Sequence, residues 1–287
     1  MAQTTRRRAL GLAAALSAGL AASQTATTAQ AAGPGRGPRP LLRAHAHNDY
    51  EHPRPLLDAL DHRFNSVEAD IYLVDGDLLV AHDPVGLDPS RTLESLYLAP
   101  LAARVREHHG SVYGGRRVPL QLLVDIKTEG EAAYRELDRQ LRRHRGLFTR
   151  YAHGRVQPGP VTVVVSGDRA ARAPMEAQRT RSAFYDGRLA DLGTSAPSSF
   201  VPLISDNWTG LFTWQGAGPM PATERDELRR IVAAAHAAGQ RVRFWATPDV
   251  AGPERDAVWG ELTAAGVDHL NSDDLAGLQA FLEAHER

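Results

Sequence analysis

The chain of 287 residues contains no cysteine. Disulfides, thiolate zinc sites, cysteine nucleophiles and a lipid-modified cysteine anchor are therefore excluded. It also lacks an excess of charge of either sign. The 33 Lys and Arg residues against 34 Asp and Glu give a formal net charge of -1, so there is no overall basic field to gather nucleic acid, and no nucleic-acid partner is expected. Aromatic residues are few, at 6%. The Ala/Leu stretch at residues 9–22 is too short and too alanine-rich for a permanent membrane-spanning helix. No Gly-x-Gly-x-x-Gly turn follows the first strand candidate, which weighs against an open doubly wound sheet holding a dinucleotide. What remains, 43% hydrophobic and 23% charged residues, is the profile of a globular protein with a sizeable core.

The N-terminus has the three-part order of an export signal: Thr5-Arg6-Arg7-Arg8, the Ala/Leu stretch, and the small-x-small site Ala29-Gln30-Ala31. The paired arginines resemble the twin-arginine type. A cleaved signal over residues 1–31 and an extracytoplasmic destination are expected. Cleavage leaves 256 residues, and because the signal holds three arginines and no acid the net charge moves from -1 to -4. Residues 32–40, rich in Gly and Pro, read as a flexible leader. The folded domain is expected over residues 41–287.

From there strand-like and helix-like segments alternate. Strands are predicted at residues 41–46, 66–73, 78–82, 120–126, 161–166, 182–185, 201–205, 241–246 and 267–271. Several helices carry their own punctuation. Thr223 and Asp226 have capping-box spacing, Leu228, Ile231, Val232 and Ala235 form a stripe, and Gly239 supplies a stop. Val258, Leu262 and Ala265 precede Gly266, and Leu275, Leu278 and Leu282 stripe the last helix. With residues 78–82 taken as a hairpin extension, eight strands and their crossovers give an α/β chain of the (β/α)8 TIM-barrel type in one domain.

In such a barrel the chemistry sits where strands end. The first strand runs into His45-Ala46-His47-Asn48-Asp49-Tyr50, and the second carries Glu68 and Asp70, two residues apart and so on one face. Their neighbours Val67, Ala69, Ile71 and Leu73 are apolar, which turns the acids inward. Val80-Ala81-His82-Asp83 ends the hairpin, and Asp125-Ile126-Lys127 ends the next strand. Inward carboxylates need neutralising. Glu68, Asp70 and Asp125, with the Asn48 carbonyl, form a hard-oxygen set for one divalent cation, Mg2+ or Ca2+. Lys127 brings the site near neutrality for an anionic diester, and His47 and His82 are the acid–base candidates. A loop with Trp208, Phe212 and Trp214, and Trp245 nearby, reads either as a lining for a glycerol or lipid moiety, allowing transient membrane-surface contact, or as a small core of its own. Asn271 and Asp273 are candidates for supporting hydrogen bonds.

In order and spacing, His47-Asn48-Asp49-Tyr50, Glu68-x-Asp70, His82-Asp83 and Asp125-x-Lys127 resemble the superfamily of glycerophosphodiester phosphodiesterases and phosphatidylinositol-specific phospholipases C. The His-Asn-Asp-Tyr opening, Arg243-Phe244-Trp245-Ala246-Thr247 and Gly266-Val267-Asp268-His269-Leu270-Asn271-Ser272-Asp273-Asp274-Leu275 are most similar to its altered inheritance of mitochondria protein 6 branch. The resemblance covers residues 41–282. It implies that His47 and His82 are the catalytic pair and that Asn48, Glu68, Asp70 and Asp125 are metal ligands. It further implies that Lys127 lies on the phosphate side, and that the substrate is a small-molecule or lipid phosphodiester. There are two departures. The bacterial glycerophosphodiesterase pattern His-Arg-Gly is His47-Asn48-Asp49 here, without its arginine, and Asp125 replaces a usual Glu. Two other readings stay open: a catalytically silent secreted barrel that binds a headgroup or partner, and an amidohydrolase-type metal site built on His45-x-His47-x-Asp49.

Overall fold

The computed structural model describes residues 39–285; the expected export signal and most of the leader lie outside them. Eight parallel strands follow one another in chain order: β1 (Leu41–Ala46), β2 (Phe64–Val74), β3 (Leu120–Ile126), β4 (Val161–Gly167), β5 (Ala183–Gly187), β6 (Leu203–Asn207), β7 (Arg241–Trp245) and β8 (Leu270–Ser272). β8 pairs with β1, and a bridge between Arg243 and His269 brings β7 against β8, so the sheet is nearly closed. Strand Asp77–Val80 pairs antiparallel with the end of β2, as the hairpin expected from the sequence. The chain is thus a (β/α)8 barrel.

Alternation decides what faces where. Val67, Ala69 and Ile71 of β2, Leu122 and Val124 of β3, and Val163 and Val165 of β4 are all fully buried in one apolar layer between staves and helices. That layer is closed by α1 (Leu57–Asp61), α2 (Ala99–Glu107), α3 (Gly130–Leu141), α4 (Arg172–Glu176), α5 (Ala222–Ala237), α6 (Pro253–Ala265) and α7 (Leu275–His285). The opposite parity points into the lumen. There Leu123, Val164 and Leu203 form a small separate apolar plug, and above and below it the lumen is polar. Register places Glu68 beside Leu123, which lies beside Val164, and one layer nearer the strand ends Asp70, Asp125 and Ser166 stand in a row. Below the plug, Arg241 donates to Gln121 Oε1 and Gln121 donates to Ser66 Oγ. Hydrogen bonds that run from strand to strand across the lumen tie strand register to side-chain identity.

Three local expectations are corrected. Helix α5 starts at Ala222 behind Pro221, with no side-chain cap. Thr223 lies inside it, and Glu224 instead accepts from the backbone N–H of Thr213 and Trp214, tying the preceding loop to the helix. No α-helix links β5 to β6, only the turn Leu189–Asp191. β5, β6 and β8 also end later than expected, at Gly187, Asn207 and Ser272, because their last polar residues continue the strand.

Asp49 belongs to this framework. It is fully buried, and its Oδ2 accepts from the Leu56 N–H at 2.6 Å and from the Tyr97 hydroxyl at 2.8 Å. Burial pushes its carboxyl up to about 7, against the lowering effect of those hydrogen bonds. A raised folded-state value means that this group's contribution to stability is complete below its unfolded value of 3.8 and is lost as pH rises through about 7. Asp49→Asn keeps the acceptor and removes the titration. Urea unfolding across that pH range is expected to show the variant gaining on the parent as pH rises. A difference independent of pH would contradict this.

Candidate active site

At the C-terminal ends of β2 and β3, one oxygen each of Glu68, Asp70 and Asp125 lies within 4.8 Å of the others. β2 supplies Glu68 and Asp70 from its inward parity, and the parallel register with β3 sets Asp125 directly beside Asp70. Gly167 on β4 makes room for this arrangement. It sits at φ +80°, and a Cβ there would lie 2.5 Å from Asp125 Oδ1 and 2.2 Å from the Ile126 carbonyl oxygen, so only glycine fits.

The three acids are neutralised unequally. Both hydrogen bonds to Glu68 fall on Oε2, from His45 Nε2 at 2.9 Å and Arg243 Nη2 at 2.7 Å. Burial opposes its ionisation, but the Arg243 guanidinium and the His45 contact hold Glu68 well below the usual carboxylate range. Asp70 is pushed up by burial and by the Glu68 charge, which Lys127 offsets only in part. Burial pushes Asp125 up to about 6, again with Lys127 pulling the other way. The Lys127 ammonium lies 2.8 Å from Asp70 Oδ2 and 3.3 Å from Asp125 Oδ1. Asp70 Oδ1 is buried without a hydrogen-bond donor. A carboxylate oxygen buried without a donor, beside two further carboxylates, is a hard-oxygen set that could hold a divalent cation. The donor set fits such an ion.

The two histidines flank this cluster. His47 Nδ1 is 2.8 Å from Asp273 Oδ1. A carboxylate only accepts, so Nδ1 carries the proton, and the Asn48 amide nitrogen at 3.0 Å is a neighbour rather than a donor to it. That leaves His47 Nε2 for a substrate. Burial disfavours its charge, but the Asp273 hydrogen bond and the Glu68 field outweigh it and raise the pKa above 6.5. His82 is largely exposed, with Nδ1 3.5 Å from Asp70 Oδ2. The Tyr50 hydroxyl joins the parts: it lies 2.5 Å from Asp70 Oδ2, 2.9 Å from Asn48 Oδ1 and 3.1 Å from His82 Nδ1. Asn48, in the left-handed conformation at φ 45°, thereby turns its carbonyl oxygen toward the cluster through Tyr50. A cleft of about 580 Å³ opens beside His82, lined by Tyr50, His52, Ala81, Asp83 and Arg91 among others.

Of the residues singled out in the sequence, His47, Asn48, Glu68, Asp70, His82, Asp125 and Lys127 are brought together. Trp245 is half-buried at the end of β7. Trp208, directly after β6, does not line an open surface. It is fully buried, its ring 4.3 Å from Phe212 and 5.7 Å from Phe244, with its indole N–H donated to the Trp214 carbonyl. The aromatic loop packs on itself, and Trp208 is a core residue rather than a substrate lining. The His45-x-His47-x-Asp49 metal reading fails as well, since His45 is spent on Ser66 and Glu68, and Asp49 faces Leu56 and Tyr97. Burial, aided by Arg243, lowers the His45 pKa to about 4, so it stays neutral. Asn271 accepts from Arg243 Nε at 2.9 Å, and Asp273 holds His47, so both give the hydrogen-bonding support expected of them. Sequence reasoning did not place Arg243 or Tyr50 in the site. The signal for Arg243 was available in its parity with Arg241 on an otherwise apolar strand.

The AIM6-like phosphodiesterase domain matches residues 39–186, and the glycerophosphoryl diester phosphodiesterase family matches residues 241–276. Among curated proteins, the chain is 30% identical over 264 residues to the altered inheritance of mitochondria protein 6 homolog of Arthroderma benhamiae, covering 84% of this chain and 83% of that one. It is 31% identical over 270 residues to altered inheritance of mitochondria protein 6 of Eremothecium gossypii, covering 84% and 69%.

Proposed function

The chain belongs to the AIM6-like phosphodiesterase family, and from that membership and the acidic cluster at its barrel mouth we propose that it is a metal-dependent phosphoric diester hydrolase acting on a glycerophosphodiester or a phospholipid headgroup. The observation that carries this reading is the convergence of Glu68, Asp70 and Asp125 within 4.8 Å, bridged by Lys127 and flanked by two histidines. Asp70, Asp125 and the Oε1 of Glu68, joined by the Asn48 carbonyl, would hold one Mg2+ or Ca2+. When bound, that ion lowers the pKa of an attacking hydroxyl and stabilises charge on the phosphoryl oxygens.

The remaining work falls to the chain's own groups. Lys127, whose ammonium lies between Asp70 and Asp125, would present a positive charge to a phosphoryl oxygen. His47, held by Asp273 and with its pKa raised, suits the donor that gives a proton through Nε2 to the leaving oxygen. His82 accepts the proton of the attacking group. Arg243 keeps Glu68 ionised and His45 keeps it oriented, so the first ligand is charged before any ion arrives.

Metal dependence has a direct test. Mg2+ or Ca2+ added to chelator-treated protein is expected to raise its thermal stability, by about 2.7 kcal/mol at a hundredfold excess over Kd, and Asp70→Asn is expected to abolish the rise. EDTA is expected to stop diester hydrolysis and one of the two ions to restore it. An unchanged melting curve with full activity in EDTA would overturn the metal assignment.

We further propose that the enzyme acts outside the cytoplasm, a reading supported by Arg6-Arg7-Arg8 and the Ala29-Gln30-Ala31 site. Sequencing the N-terminus of secreted material is expected to start at Ala32; retention of Met1 in an intracellular product would contradict export.

A further inference from the structure

The barrel mouth carries a second polar cluster, on β4, β5 and β6, that the proposed chemistry does not use. Asp186 of β5 is fully buried, and its Oδ2 accepts from Ser166 Oγ at 2.7 Å, Ser205 Oγ at 2.5 Å and Arg188 Nη1 at 2.8 Å. Arg188 is fixed further by Ser166 Oγ on Nη2 and by the Gly187 carbonyl on Nη1. A second guanidinium joins it. Arg169 Nη1 donates to the Asp186 carbonyl oxygen at 2.9 Å, and its guanidinium stacks 4.2 Å from the Tyr185 ring.

The other carboxylates near these two arginines have closer partners of their own. Asp191, 3.8 Å from Arg169, is already held by Arg172 at 2.6 Å. Asp206 is occupied by the backbone N–H groups of Leu189 and Asn207. Asp125 also acts on Arg188, and is itself bound to Lys127. Arg188 is thus the guanidinium bonded to the buried Asp186 carboxylate, while Arg169 meets the same residue only at its backbone carbonyl and feels Arg188 as a like charge. The Nε of each makes no hydrogen bond within the described residues. Arg188 keeps 26% of its side chain exposed and Arg169 keeps 40%. Paired, pre-oriented guanidinium groups with spare N–H donors are a fork for a carboxylate or phosphate. The site is also the one held by the fold itself, since Ser166, Asp186 and Ser205 lock Arg188 from three adjacent staves.

We propose that Arg188 and Arg169 form a subsite for a second anionic group on the substrate, a carboxylate or phosphate carried beyond the scissile phosphate. This rests on the phosphodiesterase reading and narrows it, selecting acidic headgroups over neutral ones.

Two matched pairs test it on the full chain with metal present: glycerophosphoserine against glycerophosphoethanolamine, which differ by a carboxylate, and glycerophosphoglycerol phosphate against glycerophosphoglycerol. The acidic member of at least one pair is expected to have kcat/KM about tenfold or more higher, through KM, as loss of a charge-assisted hydrogen bond predicts. Arg169→Met, which leaves the Asp186 carboxylate contacts in place, and Arg188→Lys, which keeps a cation on Asp186, are each expected to shrink that preference. Equal kcat/KM within both pairs, or variants that lower both members alike, would overturn the subsite. Turnover of bis(4-nitrophenyl) phosphate without turnover of any of the four diesters would overturn the subsite and leave the phosphodiesterase reading standing. No turnover even of that probe would overturn both.

Discussion

His47→Ala is expected to lower kcat for diester hydrolysis by a factor of about 10² to 10⁴, the usual contribution of a positioned acid or base, while leaving the fold intact. The prediction rests on position. His47 follows β1 and is held through Nδ1 by Asp273, which follows β8, so the two ends of the barrel circuit fix its ring. Its side chain is 30% exposed, so truncation leaves no sealed cavity and the stability cost stays small. The contrast with His45, two residues earlier, makes the test specific. His45 is fully buried between Ser66 and Glu68, and its replacement disturbs the lumen. A His47→Ala enzyme with parent-like kcat would remove His47 from the chemistry, whatever the family resemblance.

Arg243→Met is expected to cost about 3–5 kcal/mol of stability, because it leaves the Glu68 carboxylate buried without its cation. Arg243 is 3% exposed and Glu68 4%. Its two donated bonds, to Glu68 Oε2 and Asn271 Oδ1, join β7 to β2 across the lumen and to β8 at its side. Methionine fills similar volume, so the loss reports charge rather than a hole. The double variant Arg243→Met/Glu68→Gln is expected to recover part of the loss, since the glutamine amide needs no counter-charge. Additive losses in chemical denaturation would contradict the coupling. A single variant that loses less than about 1 kcal/mol would show that the pair is solvated, as surface pairs are.

These two residues also show how far the sequence could be read. The outward face of β2 announced itself, because Val67, Ala69 and Ile71 alternate with Glu68 and Asp70 at strand period. The acids of β2 and β3 followed from the same parity. Strand ends did not, because Asp186, Asp206, Asn207 and Ser272 have the composition of turns, yet the polar lumen keeps them in the strand. Arg243 stands inside the Arg243-Phe244-Trp245-Ala246-Thr247 motif. A basic residue within five residues of strand carries no sign of which buried acid lies opposite, and that depends on closure of a barrel whose partners are 175 positions apart. Trp208 misled for the converse reason. Aromatic residues clustered in a loop near strand ends have the composition of a binding surface, and only tertiary packing on Phe212 and Phe244 shows that they serve each other. Tyr50 lies inside the His-Asn-Asp-Tyr segment, but its three contacts require β2 and the hairpin to be in place.

The central claim is that the acidic mouth of this barrel cleaves a phosphodiester, and the most direct measurement follows that bond. Phosphorus NMR of glycerophosphocholine with purified, metal-supplemented protein should show the diester resonance replaced by that of a phosphomonoester or cyclic phosphate, and should show no change with Glu68→Gln. A folded, metal-binding protein that leaves glycerophosphocholine and bis(4-nitrophenyl) phosphate intact would contradict the account and turn the same cluster into a binding site without turnover.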